Sequence, residues 1–371
     1  MAKSLGQHPE DEVTSPGTLR KHLPKIVFSL LLAGGFVWLL RRGGLPLIPS
    51  SEAFAHVRWW AMPAYTAATV LATVSRTSRW LHLVQARHPD VLPRRVYGIG
   101  LVGYAMVFIA PLRMGELVRP YLLSRESDLT MEEATATVAA ERIIDGLLLS
   151  LLLLAGLFWA PSAHALPSHV QGLPLPTAAV RAASYSAAAL FTAATLSILA
   201  VYYLRGLADR IIDLLLRPLS PALARWIALR ADRFRSGLSF LSSPRHALLF
   251  FRDTAAIWGG CVLGTYALIA GCGLVPSWSA AAVALSLVGV GSLVPSGPGL
   301  FGAFQLSTYC ALALYYTETD IVVGGAAFAF LSYSAAILVP VLGGLVGAVI
   351  LRQQPPPGGG APAARPTTLS P

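Results

Sequence analysis

Ionised side chains inside apolar stretches are costly in a membrane and mark function there more often than packing. Two such groups stand out in this chain. The first lies in Pro111-Leu-Arg-Met-Gly-Glu-Leu-Val-Arg-Pro120. If the chain is helical after Pro111, then Arg113, Glu116 and Arg119 fall three apart on one face, as a row of positive, negative and positive charge. One Arg–Glu pair would be a packing device. A further guanidinium can hold a phosphate through two parallel hydrogen bonds. Arg113 and Arg119 are therefore the candidate phosphate-binding residues, with Glu116 orienting them. Gly115 permits close approach of backbone, and Pro120 is expected to end or kink the helix.

The second group is Glu141, Arg142 and Asp145. The uncharged run 146–160 is too short to span a bilayer, which takes about 20 residues, so the span must reach back past Gly146. That places the three charges within or at the edge of the apolar layer. Glu141 and Asp145 share a helix face, and Arg142 can pair with Asp145 at i, i+3. Two readings stand: a gate or cavity wall, or an ion pair that only locks helices together.

The third element is Val294-Pro-Ser-Gly-Pro-Gly-Leu-Phe-Gly-Ala-Phe-Gln305. Its prolines and glycines must break the helix inside an apolar stretch. The spacing Pro295-x-x-x-Gly299 repeats Pro111-x-x-x-Gly115 as a weak internal repeat. Interrupted segments in corresponding places of two halves point to a transporter's midplane site. Pro295, Gly297, Pro298, Gly299 and Gln305 form this broken-helix motif. It is no phosphate loop, since a Lys-Ser/Thr pair is missing.

The elements that must position these residues are membrane segments. The chain is 55% hydrophobic and 12% charged, against about 25% charged in soluble domains. Candidate segments lie at 23–40, 57–84, 96–112, 131–160, 182–204, 254–275, 279–294, 300–317 and 321–351, after a polar tail 1–22 that contains no cleavable signal. Thr130 and Glu133 form a capping box that starts the fourth. Residues 353–371 are Pro/Gly/Ala-rich and expected to be disordered.

Charge then sets the topology. Residues 205–252 hold nine Arg and 76–95 hold five, while 161–180 hold no Lys, Arg, Asp or Glu. By the positive-inside rule both Arg-rich segments and the N-terminus are cytoplasmic. Three apolar segments lie between those two loops, and three full crossings cannot join loops on one side. One segment must enter and leave by the same face, and the short, glycine-containing 96–120 is the candidate. The segment 205–252 has apolar positions at helical spacing and is expected to lie on the cytoplasmic face, Arg toward anionic headgroups.

The net charge of +10 reflects these loops, so no nucleic acid is expected as a partner. Cys261, Cys272 and Cys310 lack CxxC spacing, and the histidines form no metal pair. No metal site and no cofactor is expected.

Three motifs in order, PLRMGELVRPYLLSR, ATVAAERIIDGL and VPSGPGLFGAFQ, resemble the lysylphosphatidylglycerol synthase transmembrane-region family, the flippase-like domain, over most of residues 20–352. The resemblance marks Arg113, Gly115, Glu116 and Arg119, then Glu141, Arg142 and Asp145, then Pro295, Gly297 and Gly299. Many relatives carry a Glu three positions after the last of these, where this chain has Gly302. The resemblance covers the membrane half alone, without the cytoplasmic aminoacyl-transfer domain of full synthases, so no aminoacyl lipid should be made.

The expected protein is all-α and polytopic, with eight to nine membrane segments, some re-entrant or broken, forming a flippase-like domain over 23–352 in a bacterial inner membrane. The expected function is moving or binding a phosphate-bearing, anionic lipid between leaflets, with no enzymatic activity. Two alternatives are an intramembrane transferase or hydrolase on a lipid-linked phosphate, with Glu141 and Asp145 as metal ligands or base, and a membrane partner for a separate cytoplasmic lipid-modifying enzyme docked on 205–252.

Overall fold

A computed structural model describes residues 16–110, 115–159, 169–170, 173–174, 177–204, 206, 210, 213–215, 217–293 and 296–354. Arg113 and Pro295 lie outside the described residues, as do both chain termini. The described chain is helical apart from a two-residue antiparallel pair, His169–Val170 with Leu173–Pro174. Among the described residues, three stretches are long and apolar enough to cross a membrane by length and composition: Ala182–Tyr203, Pro244–Gly271 and Glu318–Arg352. Their outward faces are apolar, as Leu190, Leu196, Leu263, Leu338 and Leu345 are all exposed, which suits lipid rather than water.

The long helices are α1 (Pro16–Arg42), α3 (Ala61–Gln85), α6 (Met131–Phe158), α7 (Thr177–Tyr203), α9 (Pro244–Gly271) and α12 (Ala326–Arg352), with α2 (Ser51–Ala55) a short turn between the first two. The capping box at α6 is formed: Thr130 Oγ1 accepts from the Glu133 N–H, and Glu133 returns to the Thr130 N–H. Helices α3 and α9 run antiparallel in close contact, with Gly271 against Ala61 and Gly264 against Ala68. Small residues at the seam let the backbones approach where lipid offers no hydrophobic drive for association.

Between the long helices lie two helical hairpins. In the first, α4 (Pro93–Ile109) ends at Ala110, and α5 (Val118–Glu126) runs back along it. Gly115 sits against the Met106 carbonyl, where any Cβ would collide with backbone, and the Arg119 stem lies on Gly103. At the open end, Arg95 Nε is 3.4 Å from Glu126 Oε2, so the hairpin starts and finishes at one place. In the second, α10 (Trp278–Gly291) is followed by a tight turn at Pro298–Leu300 and by α11 (Ala303–Ala313). Gly291 packs on Ser307 of the returning arm. The Tyr316 hydroxyl, just past α11, donates to the Val275 carbonyl, just before α10, at 2.8 Å.

The two hairpins open toward opposite ends of the molecule. The first opens where α3 ends and α6 begins. It is clamped there by the end of α12: Arg94 Nη2 donates to Gln353 Oε1 at 2.6 Å and Arg95 Nε to Gln354 Oε1 at 3.2 Å. Arg230 of α8 (Pro221–Gly237) reaches Glu132 at that same end, at 2.8 Å. The second opens at the other end, beside the start of α3, where Trp59, Trp60, Trp159 and Trp278 are exposed. Such aromatic residues gather at a membrane–water boundary. The turn Pro298–Leu300 packs against α4 near Phe108.

The expected helix break in 294–305 is present. Gly302 has φ of +92°, a conformation open to glycine, and Phe36 fills the space a side chain would take. The expected effect of Pro120 is not seen: it lies in the first turn of α5, where its missing N–H would have had no helical partner. The stretch 76–95 is also not all loop, because α3 continues to Gln85. Of the Arg-rich 205–252, α8 forms the middle and α9 already begins at Pro244.

Candidate functional site: a cavity floored by buried guanidinium groups

Helix α6 carries the acidic residues of the site. Its register, fixed at Thr130, turns Glu141 and Asp145 inward, and both are nearly or fully buried. The partner of Asp145 is one the sequence reading assigned to a loop. Arg79 of α3 donates to both carboxylate oxygens, Nη1 to Oδ1 at 2.7 Å and Nη2 to Oδ2 at 2.8 Å. This fork-to-fork geometry is the strongest a salt bridge offers. Arg79 Nη1 also reaches Thr254 Oγ1 of α9 at 3.2 Å, and Nε lies 3.4 Å from Glu141 Oε1. The Trp258 indole N–H donates to Asp145 Oδ1 at 3.0 Å.

Glu141 passes the network to the first hairpin. Its Oε2 accepts from Arg119 Nη1 at 2.8 Å, and the same Nη1 donates to the Tyr104 hydroxyl at 3.0 Å. The Arg119 guanidinium lies between the rings of Tyr104 and Trp80, 4.4 and 5.3 Å from their centroids. Trp80 is itself held, its indole N–H on Thr137 Oγ1 at 3.0 Å. Cation–π contacts of this kind strengthen once water is excluded. One chain of charge, Arg119–Glu141–Arg79–Asp145, thus ties α5, α6, α3 and, through Thr254 and Trp258, α9.

Arg142 is placed differently. Its side chain is one-third exposed, and Nη2 lies 3.7 Å from Asp145 Oδ2, too far for a hydrogen bond. Among the described residues neither Nε nor Nη2 of Arg142 has a hydrogen-bond partner. It faces a cavity of about 740 Å³, together with Arg76, Glu116, Arg119 and Asp145. The charged groups form the floor. The walls run away from the Arg-rich end, past Thr73, Thr69 and Tyr65 on α3 and past Pro340, Ser332 and Phe328 on α12. Most of the remaining lining is apolar. Gly146, beside this floor, leaves room for the Phe191 ring of α7.

The sequence-assigned residues therefore divide. Glu116, Arg119, Arg142 and Asp145 share one cavity, while Glu141 lies behind the floor with no exposure. Gly115 lets the hairpin tip close. Gly297 packs on Ala33 of α1, and Pro298 and Gly299 form the second tip. Gln305 is structural in its contacts: its Oε1 accepts from the Gly302 N–H at 2.7 Å and caps α11. The residues missed were Arg76, Arg79, Tyr104 and Trp258. A signal for the first two existed, since both lie within the apolar segment 57–84, but their neighbours Arg87, Arg94 and Arg95 made them look like part of a loop.

Four guanidinium groups (Arg76, Arg79, Arg119, Arg142) face three carboxylates (Glu116, Glu141, Asp145) here, so the described site has a net positive charge. No group of three or more His, Cys, Asp or Glu among the described residues is placed to hold a metal ion.

The family model described as the lysylphosphatidylglycerol synthase TM region matches residues 26–343. No curated protein and no solved structure matches the sequence.

Proposed function

Since the chain belongs to the lysylphosphatidylglycerol synthase TM-region family, we propose that it is a membrane lipid transporter holding the phosphate of an anionic lipid on the cavity floor as the lipid moves between leaflets. The observation that carries this reading is Arg142. A guanidinium with two nitrogens unbonded, at the floor of an otherwise apolar cavity, is an incomplete site. An uncompensated buried donor is costly, and a phosphate oxygen would satisfy it. Arg76, stacked over Trp258 at 5.5 Å, supplies the second positive charge of the floor. The apolar walls suit acyl chains.

In this reading α1, α3, α6, α7, α9 and α12 cross the bilayer, and the two hairpins enter it from opposite faces, giving eight segments. The Arg-rich end is cytoplasmic by the positive-inside rule. The network Arg119–Glu141–Arg79–Asp145 closes the cavity on that side, so transfer requires it to part. Arg119, saturated by Glu141 and Tyr104, belongs to this gate rather than to the phosphate seat.

The intramembrane enzyme is less well supported. Glu141 and Asp145 are occupied by Arg79 and Arg119, which leaves no carboxylate pair poised for a metal or for a proton.

The test is transfer of tail-labelled phosphatidylglycerol across the membrane of reconstituted vesicles, read by quenching of the label in the outer leaflet. Arg142→Gln should slow transfer about tenfold or more, as loss of a charged hydrogen bond predicts, with an unchanged melting temperature. Transfer at the native rate would sink the phosphate role.

A further inference from the structure

Helix α8 starts at Ser220, whose Oγ accepts from the Leu223 N–H, with Pro221 in the first turn. Its inner face packs on the first turns of α6. Ala224 is buried, and Gly237 lies against the Glu133 carbonyl and the Ala136 side chain. Arg235 Nε donates to the Val201 carbonyl at 2.8 Å. That bond sets the end of α8 beside the last turn of α7, where Tyr203 and Leu204 are still exposed.

The opposite face of α8 does not suit water. Trp226 and Leu229 stand on the side away from Ala224 and are 52% and 62% exposed. Leu219, just before the helix, is 77% exposed. Arg225 and Arg230 flank this apolar strip by helical spacing, and Arg233 follows one turn on. The Arg230 guanidinium covers the Trp226 ring, 4.0 Å from its centroid. Glu132 of α6 accepts from Arg230 Nη1 at 2.8 Å and lies 3.7 Å from Arg233 Nη1. It therefore fixes where two guanidinium groups stand while engaging one nitrogen of each, and both side chains stay about half exposed. Arg225 Nε turns back to the Pro221 carbonyl of its own helix at 3.3 Å.

We propose that this face of α8 docks on the anionic phospholipid headgroups of the leaflet at the Arg-rich end, with Trp226 and Leu229 at the acyl boundary and Arg225, Arg230 and Arg233 on headgroup phosphates. Three features favour lipid over a protein partner. The helix carries Arg225, Arg230, Arg233 and Arg235 against the single Asp232, a charge opposite in sign to an anionic leaflet. Its exposed strip pairs an indole with long cationic side chains, which lay their stems on apolar surface and keep their heads among headgroups. The helices before and after it in the chain expose apolar residues at their adjoining ends, Tyr203 and Leu204 on α7 and Leu248 and Phe251 on α9. The strip on α8 is thus continuous with surface that suits lipid. Since Glu132 lies in the first turn of α6, headgroups held by Arg230 and Arg233 bear on the helix that carries Glu141 and Asp145. This surface is separate from the cavity and does not depend on what the cavity carries.

The test places a nitroxide on Leu229→Cys, in the cysteine-free full chain reconstituted into vesicles, with Asp90→Cys as the aqueous reference. In phosphatidylcholine vesicles containing phosphatidylglycerol, the label at 229 should be reached by oxygen, which concentrates in lipid, and hardly by a neutral water-soluble nickel chelate. The label at 90 should show the reverse. Omitting phosphatidylglycerol, or screening with salt, should open the label at 229 to the chelate. Arg230→Gln/Arg233→Gln should do the same with phosphatidylglycerol present, each Arg shifting the docking equilibrium about fivefold. Arg225→Gln, whose side chain bonds only within its own helix, should give a single step of that size and leaves the Glu132 contacts in place should the double variant fail to fold. A label at 229 open to the chelate in every vesicle would mean that the face meets water or a protein. A label equally shielded without phosphatidylglycerol, or unmoved by the Arg variants, would mean apolar insertion with no headgroup site. Either result overturns the proposal.

Discussion

Arg79 grips Asp145 through two near-parallel hydrogen bonds of 2.7 and 2.8 Å, joining α3 to α6 where both groups are buried. Breaking one side of such a pair leaves an uncompensated buried charge. Arg79→Ala or Asp145→Asn should each cost about 3–5 kcal/mol, read as a large fall in melting temperature or loss of the monodisperse species. The double variant Arg79→Met/Asp145→Leu should recover most of that loss, because apolar isosteres do not need to be paired. If the double variant is no more stable than the singles, the pair is not what holds the seam.

The Arg119 contacts give a different expectation. Its guanidinium is held by Glu141, Tyr104 and two aromatic faces, so Arg119→Lys keeps the charge but loses the planar fork. It should weaken closure of the first hairpin while leaving Arg142 and Arg76, the proposed phosphate seat, untouched. Transfer should accordingly become less tightly gated, with a higher rate and a lower melting temperature. A slower rate at unchanged stability would move Arg119 from the gate to the seat.

Gly115 rests on the Met106 carbonyl and Gly103 on the Arg119 stem. Neither position has room for a Cβ, and the obstacle at Gly115 is backbone, which cannot turn aside. Gly115→Ala should therefore destabilise the protein more than Gly103→Ala, where a flexible stem can shift. Equal losses in thermal unfolding would show that the hairpin tip can move away at little cost.

The proposed insertion of the two hairpins predicts which loops share a side of the membrane. Cysteines placed at Ser127 and at Asp90, in a cysteine-free background, should react with a membrane-impermeant maleimide from one side of the membrane, and a cysteine at Ser277 from the other. Labelling of Ser127→Cys and Asp90→Cys from opposite sides would mean that 93–126 crosses fully.

Much of this was legible in the chain itself. Low charge and long apolar runs point to lipid as solvent, and the glycine-containing segment 96–120 was expected to turn back on itself. The chain does so as the α4–α5 hairpin, with Arg95 and Glu126 together at its mouth. Thr130 and Glu133 set where α6 starts, because a capping box uses only near neighbours. Pro298, Gly299 and Gly302 forced a break for the same local reason.

What the sequence could not decide is which charges pair. Helical spacing offered Arg142 to Asp145 at i, i+3, and that ion pair is present at 3.7 Å, but the carboxylate takes its hydrogen bonds from Arg79, 66 positions away in the chain. Pairing across helices depends on how α3, α6 and α9 pack, which is set by seam glycines and distant small residues rather than by local pattern. The same packing left Arg142 facing the cavity and Asp253 Oδ2 without a hydrogen-bond donor among the described residues. An unmet hydrogen bond is a property of three-dimensional neighbours alone. The sequence determined that the chain enters the membrane and where its helices must break. The tertiary structure decided which charges hydrogen-bond to one another and which groups line the cavity, because both depend on neighbours distant in the chain.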